Sequence, residues 1–412
     1  MIKQILSIVT ATVLTLSVQA QVGPEVTSWK INTTGLTGYN SLPSNVQQVQ
    51  YTSTDVYVSA SCIPGYAIGP WNSNPNTPTN QNFVFIITRN PVQNTGTAIT
   101  TPMGHMGVWS NGVSIFNPKD GFYWDNATSS FASGGSGTNA WNRNALVYEG
   151  VSFDNCLGHP APNGEYHHHV NPKCLYDDAD STHHSPIIGY AFDGFPIYGA
   201  YGYTNVNGTG AIKRMKSSYV VSTATTRTNG PPVNSTYPEG NMCEDYIYTA
   251  GVGDLDVHNG RFCVTPDYPN GIYAYFVTID ASLNPAYPFV LGPTYYGTVQ
   301  AGNTGPTGGH NTPSGTVTTY TPATGIANVG EKLSTLVYPN PTSDYLYFFI
   351  NPIASNNFTA TLVDALGRVV LKQEGIQPTI SYAFDVSQLP KGMYILHLKN
   401  DSKEYTEKVL VK

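Results

Sequence analysis

The apolar stretches between Val22 and Thr298 are short, and each is closed off by Gly, Pro or Asn: FVFII (83–87), LVYEGVSF (146–153), PIIGYAF (186–192), YVV (219–221) and GIYAYFVTI (271–279). Segments of this length, rich in β-branched and aromatic residues and bounded by turn formers, fit strands. Helical periodicity is weak throughout, and long Ala/Glu/Lys/Leu segments are missing, while Gly (40), Pro (30) and Tyr (29) are abundant. The chain is therefore expected to be mainly β. Its 412 residues suffice for two or more domains, each with a core of its own.

Charged residues make up 11% of the chain and the formal net charge is −7, so no basic field is present to attract a phosphate backbone, and nucleic acid is excluded as an expected partner. Residues 1–20 read as a signal peptide: Lys3 supplies the positive start, Ile5 to Val18 the apolar stretch, and Val18-Gln19-Ala20 the small-residue cleavage pattern. The residue after the cut is Gln21, not a cysteine, and no later run reaches the ~18 apolar residues that span a bilayer, so a soluble exported protein with no membrane span is expected.

Export permits disulfides. Of the five cysteines, Cys156 with Cys174 and Cys243 with Cys263 are the pairs close in sequence, leaving Cys62 over. Each bridge would close a loop of about twenty residues, worth roughly 3 kcal/mol. Connectivity is not fixed by sequence, and Cys62 could displace any of these partners.

A β-rich domain is expected over 21–298. From 299 to 330 the composition turns to Gly, Thr, Pro, Asn and Ser, as in a flexible linker. Charge then rises: of the chain's 19 basic and 26 acidic residues, eight of each lie in 331–412. Five strand patterns follow one another there, YLYFFI (345–350), FTATLVD (358–364), RVVLKQE (368–374), MYILHLK (393–399) and TEKVLVK (406–412), and Asp364-Ala-Leu-Gly367 forms a short hairpin connection. A small antiparallel β-sandwich is expected. His397 stands alone on one of its strands and is read as structural.

The motifs Val337-Tyr-Pro-Asn-Pro-Thr342, Leu362-Val-Asp-Ala-Leu-Gly-Arg368, Leu389-Pro-Lys-Gly-Met-Tyr394 and Lys408-Val-Leu-Val-Lys412 make this tail resemble a type IX secretion system type A sorting domain. The resemblance implies the type IX machinery as a partner and export to the outer surface of a Gram-negative cell. It also implies removal of the tail, with release or attachment to surface lipopolysaccharide.

Eight of the ten histidines fall in the first domain, none of them before His105. In GEYHHHVNPKC (164–174) an extended backbone would put Glu165, His167 and His169 on one face and Tyr166 and His168 on the other. Two imidazoles at i and i+2 can converge on one ion, and imidazole suits zinc and copper among other transition metals. Further ligands would come from His105, His159, one of His183 and His184, His258 or Asp193. If the ion activates water, Glu165 or Asp193 could serve as base. A Cys156–Cys174 bridge would enclose His159 and the HHH stretch and stiffen a ligand-bearing loop. Asp193-Gly194 is equally a turn former. No Gly-x-Ser-x-Gly elbow, His-Glu-x-x-His, Walker loop or Gly-x-Gly-x-x-Gly is present, so serine hydrolases, zincins, NTPases and dinucleotide enzymes find no support.

The order Asn155-Cys-Leu-Gly-His-Pro160, Gly164-Glu-Tyr-His-His-His169, Pro172-Lys-Cys174, His184 to Gly199, Leu255 to Arg261 and Tyr268 to Phe276 resembles the YHYH domain family. By that resemblance Tyr166, His167 and His169 stand at three positions of the tetrad that names the family, and His168 replaces its second tyrosine. The expected function is a secreted or cell-surface metal-binding protein holding zinc or copper. The alternatives are an extracellular metalloenzyme, either a hydrolase or a copper oxidoreductase, and a metal-free adhesion or glycan-binding envelope protein.

Overall fold

In the strand Ile272–Phe276 the side chains alternate between two separate cores: Tyr273 and Tyr275 enter one, Ala274 and Phe276 the other. This is the period-two geometry of a sheet covered on both faces. The computed structural model describes residues 22–134, 140–305, 308–322, 335–350, 357–377, 381–400 and 404–412. The expected signal peptide at 1–20 lies outside them. The chain folds as two units divided between Thr321 and Pro322.

The central element of the first unit is an eight-stranded sheet. Its order is Gly260–Cys263, Ile272–Phe276, Pro196–Tyr198, Ile187–Ala191, His105–Trp109, Ser114–Phe116, Tyr166–His168 and His159–Pro160. Two of its pairings, Pro196–Tyr198 with Ile272–Phe276 and Ser114–Phe116 with Tyr166–His168, are parallel, and the rest are antiparallel. A four-stranded antiparallel sheet, ordered Thr318–Thr319, Val46–Tyr51, Asp55–Ala60 and Phe83–Thr88, shares one core with it through Val56, Val58, Phe85 and Ile87. The opposite core gathers Trp109, Tyr166, Ile188, Tyr275, Phe289 and Tyr295.

The segment 146–153 does not form the expected strand. Asn144 ends the short strand Asn142–Asn144, and its side chain accepts from Leu146 N at 3.1 Å, capping a single helical turn, Ala145–Tyr148. A 3-10 turn, Gly150–Ser152, follows directly. Local capping outweighs the β propensity of Val147, Tyr148 and Val151. The segment 129–139 (SSFASGGSGTN), whose composition reads as a flexible surface loop, holds the strand Ser130–Ser133, which pairs with Lys119–Asp125; residues 135–139 lie outside the described residues.

The Cys156–Cys174 disulfide is present. The Cys243–Cys263 bridge is not: both thiols are free and buried, and they sit in different cores, which no disulfide can span. Cys62 is also free and buried, its thiol 3.1 Å from the Tyr166 carbonyl.

The described residues of the Gly/Thr/Pro-rich stretch through Tyr320 lie along the first unit. Asn303 donates to the Ile86 carbonyl at 2.6 Å and accepts from its amide at 2.9 Å, Asn311 donates to the Val84 carbonyl, and Thr318–Thr319 pairs with Val46–Tyr51.

In the second unit, a three-stranded sheet (Thr335–Tyr338, Tyr345–Ile350, Ser381–Asp385) and a four-stranded one (Val369–Ile376, Phe358–Val363, Gly392–Lys399, Glu404–Val411) enclose a core of Leu346, Phe348, Leu362, Leu396 and Val409. All pairings within them are antiparallel. Gly367 closes the 364–367 turn at φ +78°, donating to the Asp364 carbonyl. No helix among the described residues is long and apolar enough to cross a membrane.

Candidate metal centre

The last two strands of the eight-stranded sheet form the site. His167 lies directly opposite His159 in the antiparallel register, so both imidazoles project from one face, and strand alternation brings His169 to the same side. His168 turns the other way, onto Trp109 and Tyr166. The hairpin approaches itself closely at Gly158, where a Cβ would meet the Tyr166 hydroxyl and lie 2.9 Å from the His167 carbonyl. The Asp154 carboxylate fixes the turn before it, accepting from the Cys156 and Gly158 amides, the Gly69 amide and the Tyr166 hydroxyl.

His159, His167 and His169 are buried, and one ring nitrogen from each lies within 4.8 Å of the others, a grouping that could hold a metal ion. Their Nδ1 atoms all face acceptors. His167 Nδ1 is 3.0 Å from the Glu165 carbonyl, and His169 Nδ1 is 2.5 Å from the Asn117 carbonyl. His159 Nδ1 is 2.7 Å from Ser152 Oγ, whose own hydrogen goes to the Glu149 carbonyl. The two carbonyls accept only, and the Ser152 hydrogen is already given, so each Nδ1 carries a proton and each ring, when neutral, presents its Nε2 lone pair. The Nε2 atoms of His167 and His169 stand 3.1 Å apart, and Glu149 Oε2 lies 3.2 Å from His169 Nε2 and 3.8 Å from His159 Nε2.

Four acceptors thus face one another at the floor of a cleft of about 530 Å³ walled by Asn74, Met103, Phe116, Lys119 and Tyr148. A proton placed among them can point at only one neighbour at a time. Further protons are disfavoured: burial, then the charge of neighbouring imidazoles, push His159 down to about 4 and His167 well below its usual value. Burial raises the Glu149 carboxyl, but the His169 hydrogen bond and the charges of His169, His159 and Arg143 outweigh it and hold the group below the usual range. A cation among the Nε2 atoms would satisfy all of these contacts at once.

The other expected site residues are elsewhere. His105 pairs through Nδ1 with Glu165 Oε1 at 3.1 Å, its ring edge-on to Phe83, Phe85 and Phe192, because its strand faces the four-stranded sheet there. Glu165 therefore gives the centre its carbonyl, and its carboxylate is engaged by His105. His183 is exposed and pairs with Asp180, while His184 lies among Tyr198, Tyr203 and Phe276. His258 Nδ1 is 3.0 Å from the Thr294 carbonyl.

Asp193 is a buried structural group, accepting from the Tyr275 hydroxyl at 2.6 Å and the Gly297 amide at 2.8 Å. Burial raises its carboxyl from 3.8 to about 6. The folded chain thus binds this proton more tightly than the unfolded one. The resulting stabilisation is complete below pH 3.8 and is lost as pH rises through about 6. Relative to Asp193→Asn, the wild type is expected to lose on the order of 3 kcal/mol between pH 4 and pH 7, read by urea unfolding at both values. A difference independent of pH would contradict this assignment.

Glu149 is the residue that the sequence reading missed. It follows the helical turn that replaces the expected strand, and the Asn144 cap was the available signal.

Residues 84–287 match the family model described as YHYH protein, and residues 336–412 match the one described as secretion system C-terminal sorting domain. No curated protein matches the chain.

Proposed function

Because this chain belongs to the YHYH protein family and ends in a secretion-system sorting domain, we propose that it is a secreted or cell-surface protein that holds a transition-metal ion, zinc or copper, on His159, His167 and His169. The observation that carries the reading is the convergence of three Nε2 lone pairs whose Nδ1 partners are already fixed. Imidazole nitrogens favour these ions, and carbonyl or hydroxyl acceptors behind them set the tautomer that ligation needs. The sorting domain supports export by the type IX route to the surface of a Gram-negative cell, with lipopolysaccharide attachment or release.

The test is elemental analysis of the exported, tag-free protein after dialysis. About one zinc or copper per chain is expected, and a protein free of both under loading conditions sinks the reading. Ser152 fixes His159 without touching the ion. Ser152→Ala is therefore expected to weaken zinc binding roughly 10–100-fold with the fold retained, as competition with a chromophoric chelator would show. Unchanged affinity would remove Ser152 from the centre.

The cleft favours a second reading, a metalloenzyme of hydrolytic or copper-redox type. A bound zinc with an open position supplies activated water. Glu149, its side chain 28% exposed and beside two of the imidazoles, is the carboxylate placed to take a proton from a molecule in the cleft.

A further inference from the structure

All three imidazoles lie within the loop closed by the Cys156–Cys174 disulfide, which spans 18 positions of sequence. The ladder bonds that hold this loop are few. Tyr166–His168 meets Ser114–Phe116 over two residue pairs and His159–Pro160 over two more, at the end of the sheet. Its two ends are anchored unequally. On the Cys156 side the Asp154 carboxylate grips the Cys156 and Gly158 amides. On the Cys174 side the ties include the local turns Lys173 N to the Asn171 carbonyl and Leu175 N to the Pro172 carbonyl, the Asn171 bonds to Asp178 and Tyr176, Lys30 on the Leu175 carbonyl, and Val170 and Leu175 in the core. Short edge pairings open locally at lower cost than core strands, so the covalent tie adds to the burial of Tyr166, His168 and Val170 in keeping His167 and His169 opposite His159.

We propose that metal capture is coupled to this disulfide, so that the chain assembles its ion site on oxidation after export and loses it on reduction. The inference rests on the ion site proposed above. Cys156 is buried and Cys174 is exposed, which directs exchange to the Cys174 sulfur. Closure needs a disulfide donor of the glutathione-disulfide or oxidoreductase class. The Cys174 thiolate attacks one donor sulfur and releases a thiolate; the Cys156 thiolate then attacks the Cys174 sulfur of the mixed disulfide and releases the second. The two cysteines lose two electrons and two protons, and the donor becomes two thiols.

Coupling is reciprocal: if the bridge favours the ion, the ion favours the bridge by the same factor. The exported full-length protein is equilibrated in glutathione redox buffers with and without saturating zinc, then trapped with a maleimide and read by mass. Zinc is expected to shift the equilibrium at least tenfold toward the disulfide, a midpoint about 30 mV more negative. The Cys156→Ser/Cys174→Ser variant is expected to bind zinc at least tenfold more weakly. If that variant does not fold, the wild-type equilibrium still decides. An unchanged midpoint, or a shift toward the dithiol because the thiolates themselves hold zinc, overturns the proposal. An oxidised wild type that takes up no zinc instead refutes the ion site itself.

Discussion

Replacing His167 and His169 together by alanine is expected to abolish metal retention. A lost hydrogen-bond partner behind a ligand costs roughly 10–100-fold in affinity, and two of three direct ligands should cost far more. The fold should survive, because the rings occupy the cleft floor, outside the two apolar cores. A second readout separates binding from folding. At a thousandfold excess over its dissociation constant a ligand stabilises the native state by about 4 kcal/mol, so zinc should raise the melting temperature of the wild type and leave that of the double variant unchanged. A variant that keeps as much metal as the wild type would end the coordination argument.

The largest expected loss of stability lies behind the cleft. Arg227 donates to both oxygens of Asp245, with both side chains fully buried, and its remaining donors reach the carbonyls of Pro231, Tyr237 and Pro238. Asp245 also accepts from the Gly240 and Met242 amides. Arg227→Ala would leave a buried carboxylate without its counter-charge and should cost about 3–5 kcal/mol in urea unfolding. A loss below about 1 kcal/mol would mean that water or a rearranged loop replaces the guanidinium. The effect should extend to the site. Glu244, next to Asp245, holds the amide and side chain of Asn142, and Asn144 two residues on caps the turn that ends at Glu149.

What the sequence made legible was periodic. Alternation in an extended segment separates His167 and His169 from His168 without any knowledge of the partners, and four of the five bounded apolar runs of the first domain fall on strands. What it hid was local or long-range. Glu149 was obscured because Val147, Tyr148 and Val151 look like strand residues, whereas one amide cap at Asn144 decides the backbone. His105 and Asp193 carry the right chemistry for ligands, but their directions depend on which sheet faces which. Cys243 and Cys263 are twenty positions apart in sequence and in different cores in space. Asn303 and Asn311, inside a stretch of linker composition, use side-chain amides to continue a sheet edge, and composition carries no trace of that.

The opposite border of that sheet, where Thr318–Thr319 pairs with Val46–Tyr51, would matter if the tail were removed after export. The backbone up to Tyr320 is already tied down, its amide bonded to the Val49 carbonyl, before the second unit begins at Pro322. If the tail were removed beyond Thr321, Thr318–Thr319 would stay paired with Gln50 and Tyr51. A trimmed molecule would keep that border blunted instead of offering a raw strand on which copies could zip together.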